Sequence, residues 1–157
     1  MIIRHLTVQP DEKVLAFRDG ALVDVLGPGR HARRSRTVVV RVDMRRRLLV
    51  LAPQDVLTAD GVGVRATVAV RWRVVDPVAF HGASADAEAE LHLAAQLALR
   101  TAIAEVTADD VASRPAAVST AVLTAAVAPA ADGIGAEVVD VVPRAVILPP
   151  AVRDART

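Results

Sequence analysis

The chain has 157 residues, enough for one ordinary domain that buries about 68–70% of its extended-chain surface without a disulfide or metal to hold it together. It contains no cysteine, which excludes thiol nucleophiles, disulfides and Cys-type zinc sites. The net charge is only +1 and aromatic residues make up 2% of the chain, so a base-stacking platform for single-stranded nucleic acid is not expected.

A β-hairpin is predicted close to the N-terminus. The apolar stretches "EKVLAF" (12–17) and "ALVDVL" (21–26) flank Asp19-Gly20, and Asp-Gly between two apolar runs is typical of a hairpin turn. The segment "GPGR" (27–30) then interrupts the strand pattern.

Two more short strands are predicted before the middle of the chain. The stretch "TVVVRVD" (37–43) alternates, which places Val38, Val40 and Val42 on one face of a strand. The stretch "RLLVLA" (47–52) follows it after a short break.

Residues 62–74 carry a much longer alternation. Every second residue from Val62 onward is apolar, one of them being Trp72, and the interleaved positions are largely basic or polar. This predicts a strand of roughly 13 residues, against the usual ~5–6, with Trp72 on its buried face. Residues 52–61 are predicted to form a loop or short edge strand, ending in a turn at Thr58-Ala-Asp-Gly that aims the long strand.

The period changes to a helical one after Asp76-Pro77. Residues 83–106 are rich in Ala, Leu and Glu, with acids at the N-terminal end, where the helix dipole favours them. We expect a helix buried on a broad face. Its apolar positions are Leu93, Leu97 and Ala104 along one side, with Leu99 and Ile103 as an adjacent pair.

Two shorter helices are predicted next. Thr107 is placed to cap one of them, and a serine at position 113 is interpreted as a helix cap as well. The second helix is expected to open at or near Pro115 and to end at Pro129 and Gly133. Its apolar pairs at a spacing of four are Val118 with Val122 and Leu123 with Val127.

The chain returns to a strand pattern at "AEVVDVVPRAVIL", where Pro143 predicts an edge position or a bulge. Strands, then helices, then a strand indicate an α+β fold. We expect one domain over residues 1–150 and a frayed tail over residues 151–157.

No catalytic, cofactor-binding or metal-binding residues are expected. The four histidines, at positions 5, 31, 81 and 92, lack the spacing of a metal-ligand pair, and no serine has the context of a nucleophile. "GPG" at 27–29 is too short for a phosphate loop and lacks its Lys-Ser/Thr. Two of the three carboxylate pairs fall at predicted helix starts, which explains them without catalysis; the pairs are Asp11/Glu12, Glu88/Glu90 and Asp109/Asp110.

A basic cluster is the one candidate site with chemical content. Residues 30–47 hold eight Arg and one Asp. Either the cluster is a solvated loop and strand face, or it contacts a polyanion such as anionic lipid, nucleic acid or an acidic protein. Each Arg near an anionic bilayer contributes on the order of 1 kcal/mol, whereas nucleic acid is disfavoured because no groove-reading helix is recognisable. The tentative membrane or partner contacts are Arg30, Arg33, Arg34 and Arg36, which we expect in a solvated loop.

The ordered motifs resemble those of the SPFH or band 7 family (stomatin, prohibitin and flotillin), most closely its stomatin/slipin branch. The resemblance extends over about residues 8–150. The motifs are "FRDG…LGPGRH", "VDMR" at 42–45, "QDVLTADGVGVRATVAVRWRVVDP" at 54–77, "AQLALRTAIAEVTADDVASR" at 95–114 and "GAEVVDVVPRAVILP" at 135–149.

This resemblance implies a curved, mainly antiparallel sheet flanked by helices, and a scaffold without catalytic residues. It further implies self-assembly on the inner face of a membrane and modulation of membrane proteins, including membrane proteases. Three departures from the family pattern stand out: no hydrophobic N-terminal anchor, no coiled-coil helix after the "LP" motif, and "RHARRSR" after "GPG" where relatives tend to have apolar residues that dip into the bilayer.

No transmembrane or secretion segment is recognisable. Together with the resemblance, which implies a place on the inner face of a membrane, this leads us to expect a chain that is cytoplasmic and peripheral to the inner face of the plasma membrane. Without the coiled coil, we expect monomers to small homo-oligomers. The first hypothesis is the membrane-docking scaffold. The alternative is a soluble protein- or ligand-binding module with no membrane role, and a degenerate hydrolase is a distant third.

Overall fold

The computed structural model describes residues 4–114 and 116–149 and confirms the predicted α+β class, with antiparallel sheets and four helices in that part of the chain. The strands are β1 (Arg4–Val8), β2 (Glu12–Arg18), β3 (Ala21–Leu26), β4 (Gly29–Arg33), β5 (Thr37–Asp43), β6 (Arg47–Val50), β7 (Gln54–Leu57), β8 (Gly63–Val74) and β9 (Ala136–Ile147). The helices are α1 (Pro77–Ala83), α2 (Ala87–Ala104), α3 (Ala108–Ser113) and α4 (Thr120–Asp132).

The strands form three antiparallel sheets. Strands β1 and β4 make a two-stranded ribbon, and β3, β2 and β5 make a three-stranded sheet in that order. The main sheet is built on β8, which pairs with β6 and β7 along one side and with β9 along the other. Strand β4 pairs with the distant β1 and not with its neighbour β3. Strands β1 to β5 thus form two sheets that are separate from the main sheet.

The predicted hairpin is confirmed as β2–β3. Asp19 and Gly20 connect the two strands with φ angles of 51° and 80°. Positive φ at both central residues characterises the turn whose twist matches that of paired strands, and Asp and Gly tolerate this conformation better than other residues.

The long strand is confirmed as β8. Its buried side chains alternate from Val64 to Val74, and Trp72 is 1% exposed. The expected short edge strand before it is β7, and the turn at Thr58 is present. The backbone N–H of Val62 donates to the Thr58 hydroxyl at 3.1 Å. Thr58 is itself buried, so the turn is anchored in the core beneath the start of β8.

Helix α1 is a segment that the sequence analysis did not predict as a helix. Asp76 caps it by accepting a hydrogen bond from the N–H of Ala79 at 3.2 Å, and Pro77 occupies the first turn. Both are ordinary signals of a helix start. The helix then places Phe80 against Trp72, with ring centroids 5.9 Å apart.

The predicted buried face of α2 is wrong in part. Leu93 and Leu97 are 55% and 56% exposed. The buried face of the helix is a stripe of apolar residues spaced four apart, which packs toward the main sheet and α4. The stripe consists of Ala87, Leu91, Ala95, Leu99 and Ile103. Of the predicted positions, Leu99 and Ile103 are therefore confirmed as core, and Ala104 is exposed.

The predicted caps of the later helices are partly confirmed. Thr107 caps α3 by accepting from the N–H of Asp110 at 3.2 Å. Ser113 is not a cap: its hydroxyl donates to the carbonyl of Asp109 inside the last turn, at 2.6 Å. The N-cap of α4 is Ser119 instead.

Helix α4 ends as predicted at Gly133 but not at Pro129, which lies inside the helix. Leu123 and Val127 are buried, whereas Val122 is exposed. Pro115 and residues 151–157, where we expected a helix start and a frayed tail, lie outside the described residues.

Strand β9 lies at the edge of the main sheet, as Pro143 predicted. The backbone N–H of Val141 points away from β8 and donates to the hydroxyl of Thr124 on α4 at 3.0 Å. One part of the edge is thus covered by a helix, and proline removes a donor from another part, two devices that limit pairing with a further strand.

The main core lies between the β8 sheet and helices α2 and α4. A second, small core is formed by Leu6, Val8 and Val14 where the ribbon meets β2. In β5, Val42 is buried but Val38 is 64% exposed, so only part of the face predicted for that strand is covered.

Candidate functional site

Several arginines on or beside the sheets are held by carboxylates of the fold. Arg41 pairs with Glu12, and Arg71 with Asp140. Three further pairs join Arg45 to Asp43 at 2.9 Å, Arg65 to Asp55 at 3.0 Å and Arg73 to Glu137 at 2.8 Å. The charge of these arginines is balanced locally.

The ion pairs alter the titration of their carboxylates. Hydrogen bonds from the Arg45 side chain and backbone N–H lower the pKa of Asp43 to about 2. A hydrogen bond from Arg71 likewise lowers the pKa of Asp140. The pKa of Asp60 is also lowered, first by the Thr58 hydroxyl and then by the N–H of Ala108. These carboxylates serve the fold as anions and hydrogen-bond acceptors.

Four arginines of the predicted basic cluster have a different environment. Within residues 4–114 and 116–149, no carboxylate forms an ion pair with Arg30, Arg33, Arg34 or Arg36. All four are exposed. The cluster is thus divided: Arg41 and Arg45 are neutralised by acids, and Arg47 lies over the rings of Trp72 and Phe80.

We expected all four residues in a loop, and the structure places only two of them there. Arg30 and Arg33 belong to β4, and Arg34 and Arg36 lie in the connection to β5. The glycine pair at 27 and 29 does not extend the loop further, because the strand begins at Gly29 and pairs at once with Val8.

The pairing of β4 with β1 separates Arg30 from the rest. Arg33 lies directly opposite Arg4, and Arg30 lies directly opposite Thr7. Because residues three apart in a strand point to opposite faces, Arg30 and Arg33 project from different sides of the ribbon. Arg4 was not among the predicted site residues.

A concavity of about 430 Å³ collects the remaining basic residues, and we refer to it as the arginine cup. It is lined by Arg4, Arg33, Arg34, Ser35, Arg36 and Thr37. Arg36 adopts a left-handed backbone conformation with φ of 63°, which is uncommon for a residue with a side chain. One Nη of Arg33 donates to the carbonyl of Thr37 at 3.1 Å and closes the turn.

A second concavity of about 430 Å³ adjoins the cup and shares Arg33, Arg34 and Thr37 with it. We refer to it as the apolar groove. Its apolar lining consists of Leu6, Ala16, Val23, Leu26, Ala32 and Val39. Arg18 also lines the groove, and its Nε is buried without a hydrogen-bond partner among the described residues.

Strand β3 forms the outer border of this region and carries exposed apolar side chains. Leu22, Val23 and Val25 are all exposed on a strand that, within the described residues, pairs along one side only. The stretch "ALVDVL" predicts a strand but carries no signal for its exposure, since it is as apolar as a core strand.

The other candidates considered from the sequence are not assembled into a site in the described part of the chain. No group of three metal-ligating side chains comes together there. His31 is a hydrogen-bond partner of the Gly27 carbonyl at 2.7 Å, and His81 packs on Phe17 with ring centroids 5.4 Å apart. The carboxylate pairs at 88/90 and 109/110 lie in the first turns of α2 and α3, as predicted.

None of the helices in residues 4–114 and 116–149 is both long and apolar enough to cross a membrane. A family model described as SPFH domain / Band 7 family matches residues 6–156. No curated protein matches the sequence.

Proposed function

The chain belongs to the SPFH domain / Band 7 family, and from this premise we propose that it is a non-enzymatic scaffold of the stomatin type. It assembles with itself, docks at a membrane and modulates membrane protein partners such as membrane proteases. The family match over residues 6–156 is the observation that carries this proposal, because membership supports a membrane-associated, scaffold-like role in general.

Docking is proposed to be electrostatic. The arginines of β4 and the following turn support this view, since no carboxylate in the described part of the chain pairs with them and their charges can attract an external anion. Each contributes on the order of 1 kcal/mol near an anionic surface. The inner leaflet of a plasma membrane carries such lipids, so the proposed location is peripheral to that face.

Self-assembly is proposed to use the outer face of the main sheet. Val50 and Val142 lie opposite Ala69 in one cross-strand row, and both are exposed. Leu48 on β6 extends the apolar surface. Exposed apolar side chains that are contiguous across strands are typical of protein contact surfaces.

The alternative, a soluble binding module, has one observation in its favour. A hollow of about 520 Å³ lies between β5, α1 and α2. Its lining includes Arg41, Arg47, Phe80, His81 and Asp86, a mixture of aromatic and charged groups that is common in ligand sites.

Vesicle co-sedimentation tests the proposal. The chain is expected to bind vesicles containing anionic lipid at low salt, to release them at high salt, and to ignore neutral vesicles, because attraction at the surface is screened over about 8–10 Å at physiological ionic strength. Replacing Arg30, Arg33, Arg34 and Arg36 by Gln should abolish binding.

The matched control removes the same amount of charge elsewhere, by replacing Arg65, Arg71, Arg73 and Arg100 with Gln. This variant should retain most of its vesicle binding. Equal losses in the two variants would reduce the cluster to a general charge effect, and absence of binding at low salt would favour the soluble module. Cross-linking and mass spectrometry in cells would identify the partner.

A further inference from the structure

The arginine cup concentrates positive charge, and no acid among residues 4–114 and 116–149 lines it. Four of its six lining residues are arginines, and the other two are Ser35 and Thr37. Arg4 and Arg33 face each other across the ribbon, where like charges destabilise a strand pair. Four other strand arginines, at positions 41, 65, 71 and 73, do have a carboxylate beside them, for example Asp140 beside Arg71.

The apolar groove adds a second chemical character at the same place. It opens from the cup at Arg33 and Arg34, and continues between Leu6, Val23, Leu26 and Val39. Asp24 is the only acid of the described residues in its lining, and one of its oxygens already accepts the N–H of Val25 at 2.8 Å. A ligand that fits both parts has a strongly anionic end and an apolar end.

Arg18 gives the groove one polar position among its apolar ones. Its Nε is buried in the wall of the groove and makes no hydrogen bond to any described residue. Buried side-chain donors in folded proteins are generally paired, so a ligand in the groove would need a hydrogen-bond acceptor at this position.

The number and type of donors select among anions. Each guanidinium carries five N–H donors in a planar fork, which suits bidentate bonds to carboxylate or phosphate. A carboxylate has two oxygens to offer, and a phosphate diester carries a single negative charge. A phosphate monoester offers three terminal oxygens and a charge of about −1.5 to −2, and so satisfies more of the donors at once.

We infer that the arginine cup and apolar groove together bind one lipid whose headgroup is a phosphate monoester. The headgroup lies among Arg4, Arg33, Arg34 and Arg36, and the apolar part of the lipid enters the groove beside β3. This inference rests on the proposed membrane docking and makes that docking selective. The chain distinguishes headgroups on membranes of equal surface charge, whereas a non-specific electrostatic attraction does not.

The exposed side chains of β3 favour a membrane over a soluble phosphate. Leu22 and Val25 are exposed on β3, the strand whose Val23 and Leu26 line the groove. At the surface of a bilayer these side chains reach the boundary between headgroups and acyl chains, a position that suits apolar residues beside basic ones.

The test uses the whole chain and phosphatidylcholine vesicles that contain either phosphatidic acid or phosphatidylserine, adjusted to equal surface potential. We expect about tenfold tighter binding to the phosphatidic acid vesicles, the effect of one additional charge-assisted hydrogen bond. Titration with glycerol 3-phosphate and with a phosphoserine peptide measures the headgroup chemistry without a bilayer.

Two single substitutions in one strand give a matched comparison. Arg33→Gln should lower the affinity for phosphatidic acid vesicles about tenfold and remove the headgroup preference. Arg30→Gln removes the same charge from the opposite face of the ribbon, so the preference should persist. Arg36→Gly is a further variant whose backbone suits its φ of 63°, so its loss of binding cannot come from misfolding of the turn.

The outcomes separate this inference from the proposed function. Binding to both anionic vesicles with equal affinity, and equally weakened by Arg30→Gln and Arg33→Gln, would overturn the cup as a headgroup site while leaving membrane docking intact. Failure to bind any vesicle at low salt would overturn the docking itself. Tighter binding to the phosphoserine peptide or to glycerol 3-phosphate than to vesicles would overturn the lipid as the ligand.

Discussion

Arg4 and Arg33 lie directly opposite each other in the β1–β4 ribbon, with no carboxylate of the described residues paired to either. Like charges at directly opposed positions destabilise an antiparallel pair by a few tenths of a kcal/mol to about 1 kcal/mol. A carboxylate or a neutral side chain at either position would avoid this cost. We therefore expect the two positive charges to serve binding.

The Arg4–Arg33 pair gives a first prediction. Arg4→Glu should raise the free energy of unfolding by about 0.2–1 kcal/mol, because it converts a repulsive cross-strand pair into an attractive one. The same change should weaken binding to anionic vesicles. Urea denaturation measures the first effect and co-sedimentation the second. Arg4→Gln is the control, and its stability should be intermediate. If Arg4→Glu were less stable than Arg4→Gln, the pairing of Arg4 with Arg33 would be contradicted.

Arg36 gives a second prediction. A left-handed residue with a side chain costs roughly 1–2 kcal/mol, and glycine relieves that cost while returning about 0.4–1 kcal/mol of entropy to the unfolded chain. Arg36→Gly should therefore raise the stability by a net ~0.5–1 kcal/mol. Arg34→Gly, two residues earlier and without positive φ, should lower it. Calorimetric unfolding that ranks the two variants in the reverse order would show that the turn is not strained.

Trp72 gives a third prediction. It is the only tryptophan, so the fluorescence of the chain reports its surroundings alone, and a blue-shifted emission typical of a buried indole is expected. Trp72→Ala should destabilise the fold by about 3–5 kcal/mol, through lost burial and the cavity left behind. Leu48→Ala on the exposed side of β6 should cost less than about 0.5 kcal/mol. Emission like that of free tryptophan would mean that the two faces of β8 are reversed.

Gly135 gives a fourth prediction. Its φ is 68°, and a Cβ built on it would lie 2.5 Å from the carbonyl oxygen of Asp76 and 2.8 Å from the N of Phe80. Gly135→Ala should cost roughly 2–5 kcal/mol, from the left-handed backbone and from the displacement of α1.

The matched control for Gly135 is two residues away. Gly133 has φ of −64°, and a Cβ there would meet only carbonyl oxygens at 3.6 Å, an ordinary contact. Gly133→Ala should change the free energy of unfolding by less than about 1 kcal/mol. Similar losses in both variants would indicate that α1 does not pack closely on the start of β9.

The ion pair at Asp43 gives a fifth prediction, on pH. Its pKa falls from the ordinary value of 3.8 to about 2 in the folded state, chiefly through the Arg45 side-chain hydrogen bond. A carboxylate with a lowered pKa stabilises the folded state above its unfolded pKa, and that contribution is lost as the pH falls from 3.8 toward 2. Urea titrations at a series of pH values should show this loss. Asp43→Asn and Arg45→Gln should both reduce the dependence of the free energy of unfolding on pH in that window. An unchanged dependence in either variant would show that the pair does not cause the lowered pKa.

Local patterns predicted the fold well where they depended on near neighbours in the chain. The alternation around Trp72, the Asp19-Gly20 turn and the cap at Thr107 each rest on a few residues, and each is confirmed. Helix α1 was missed because its seven residues are too few to display a helical period, although Asp76 and Pro77 marked its start.

The buried face of α2 could not be chosen from composition. Apolar residues surround this helix, so the larger leucines at 93 and 97 were selected, whereas the stripe through Leu91 and Ala95 faces the sheet. A small side chain at Ala95 permits close approach of the helix, and only the packing partner shows that it does so.

The candidate site was predicted in composition but not in arrangement. Arg33, Arg34 and Arg36 were identified from their density along the chain, and they do line one cup. The pairing of β1 with β4 joins segments that have no local signal for each other. It brings Arg4 into the cup and turns Arg30 away from it. The groove beside β3 depends on the same long-range pairing.

The pairing of β8 with β9 also has a consequence for synthesis on the ribosome. Arg71 and Asp140, which hydrogen-bond across these strands, are 69 positions apart. The backbone donors and acceptors along one side of β8 therefore remain without strand partners until the segment from Ala136 onward has left the exit tunnel. Non-local pairing of this kind slows folding and leaves a strand edge exposed to other nascent chains. The main sheet of this domain is completed only after translation has passed β9, and a nascent chain stalled before that point carries the open edge that chaperones recognise.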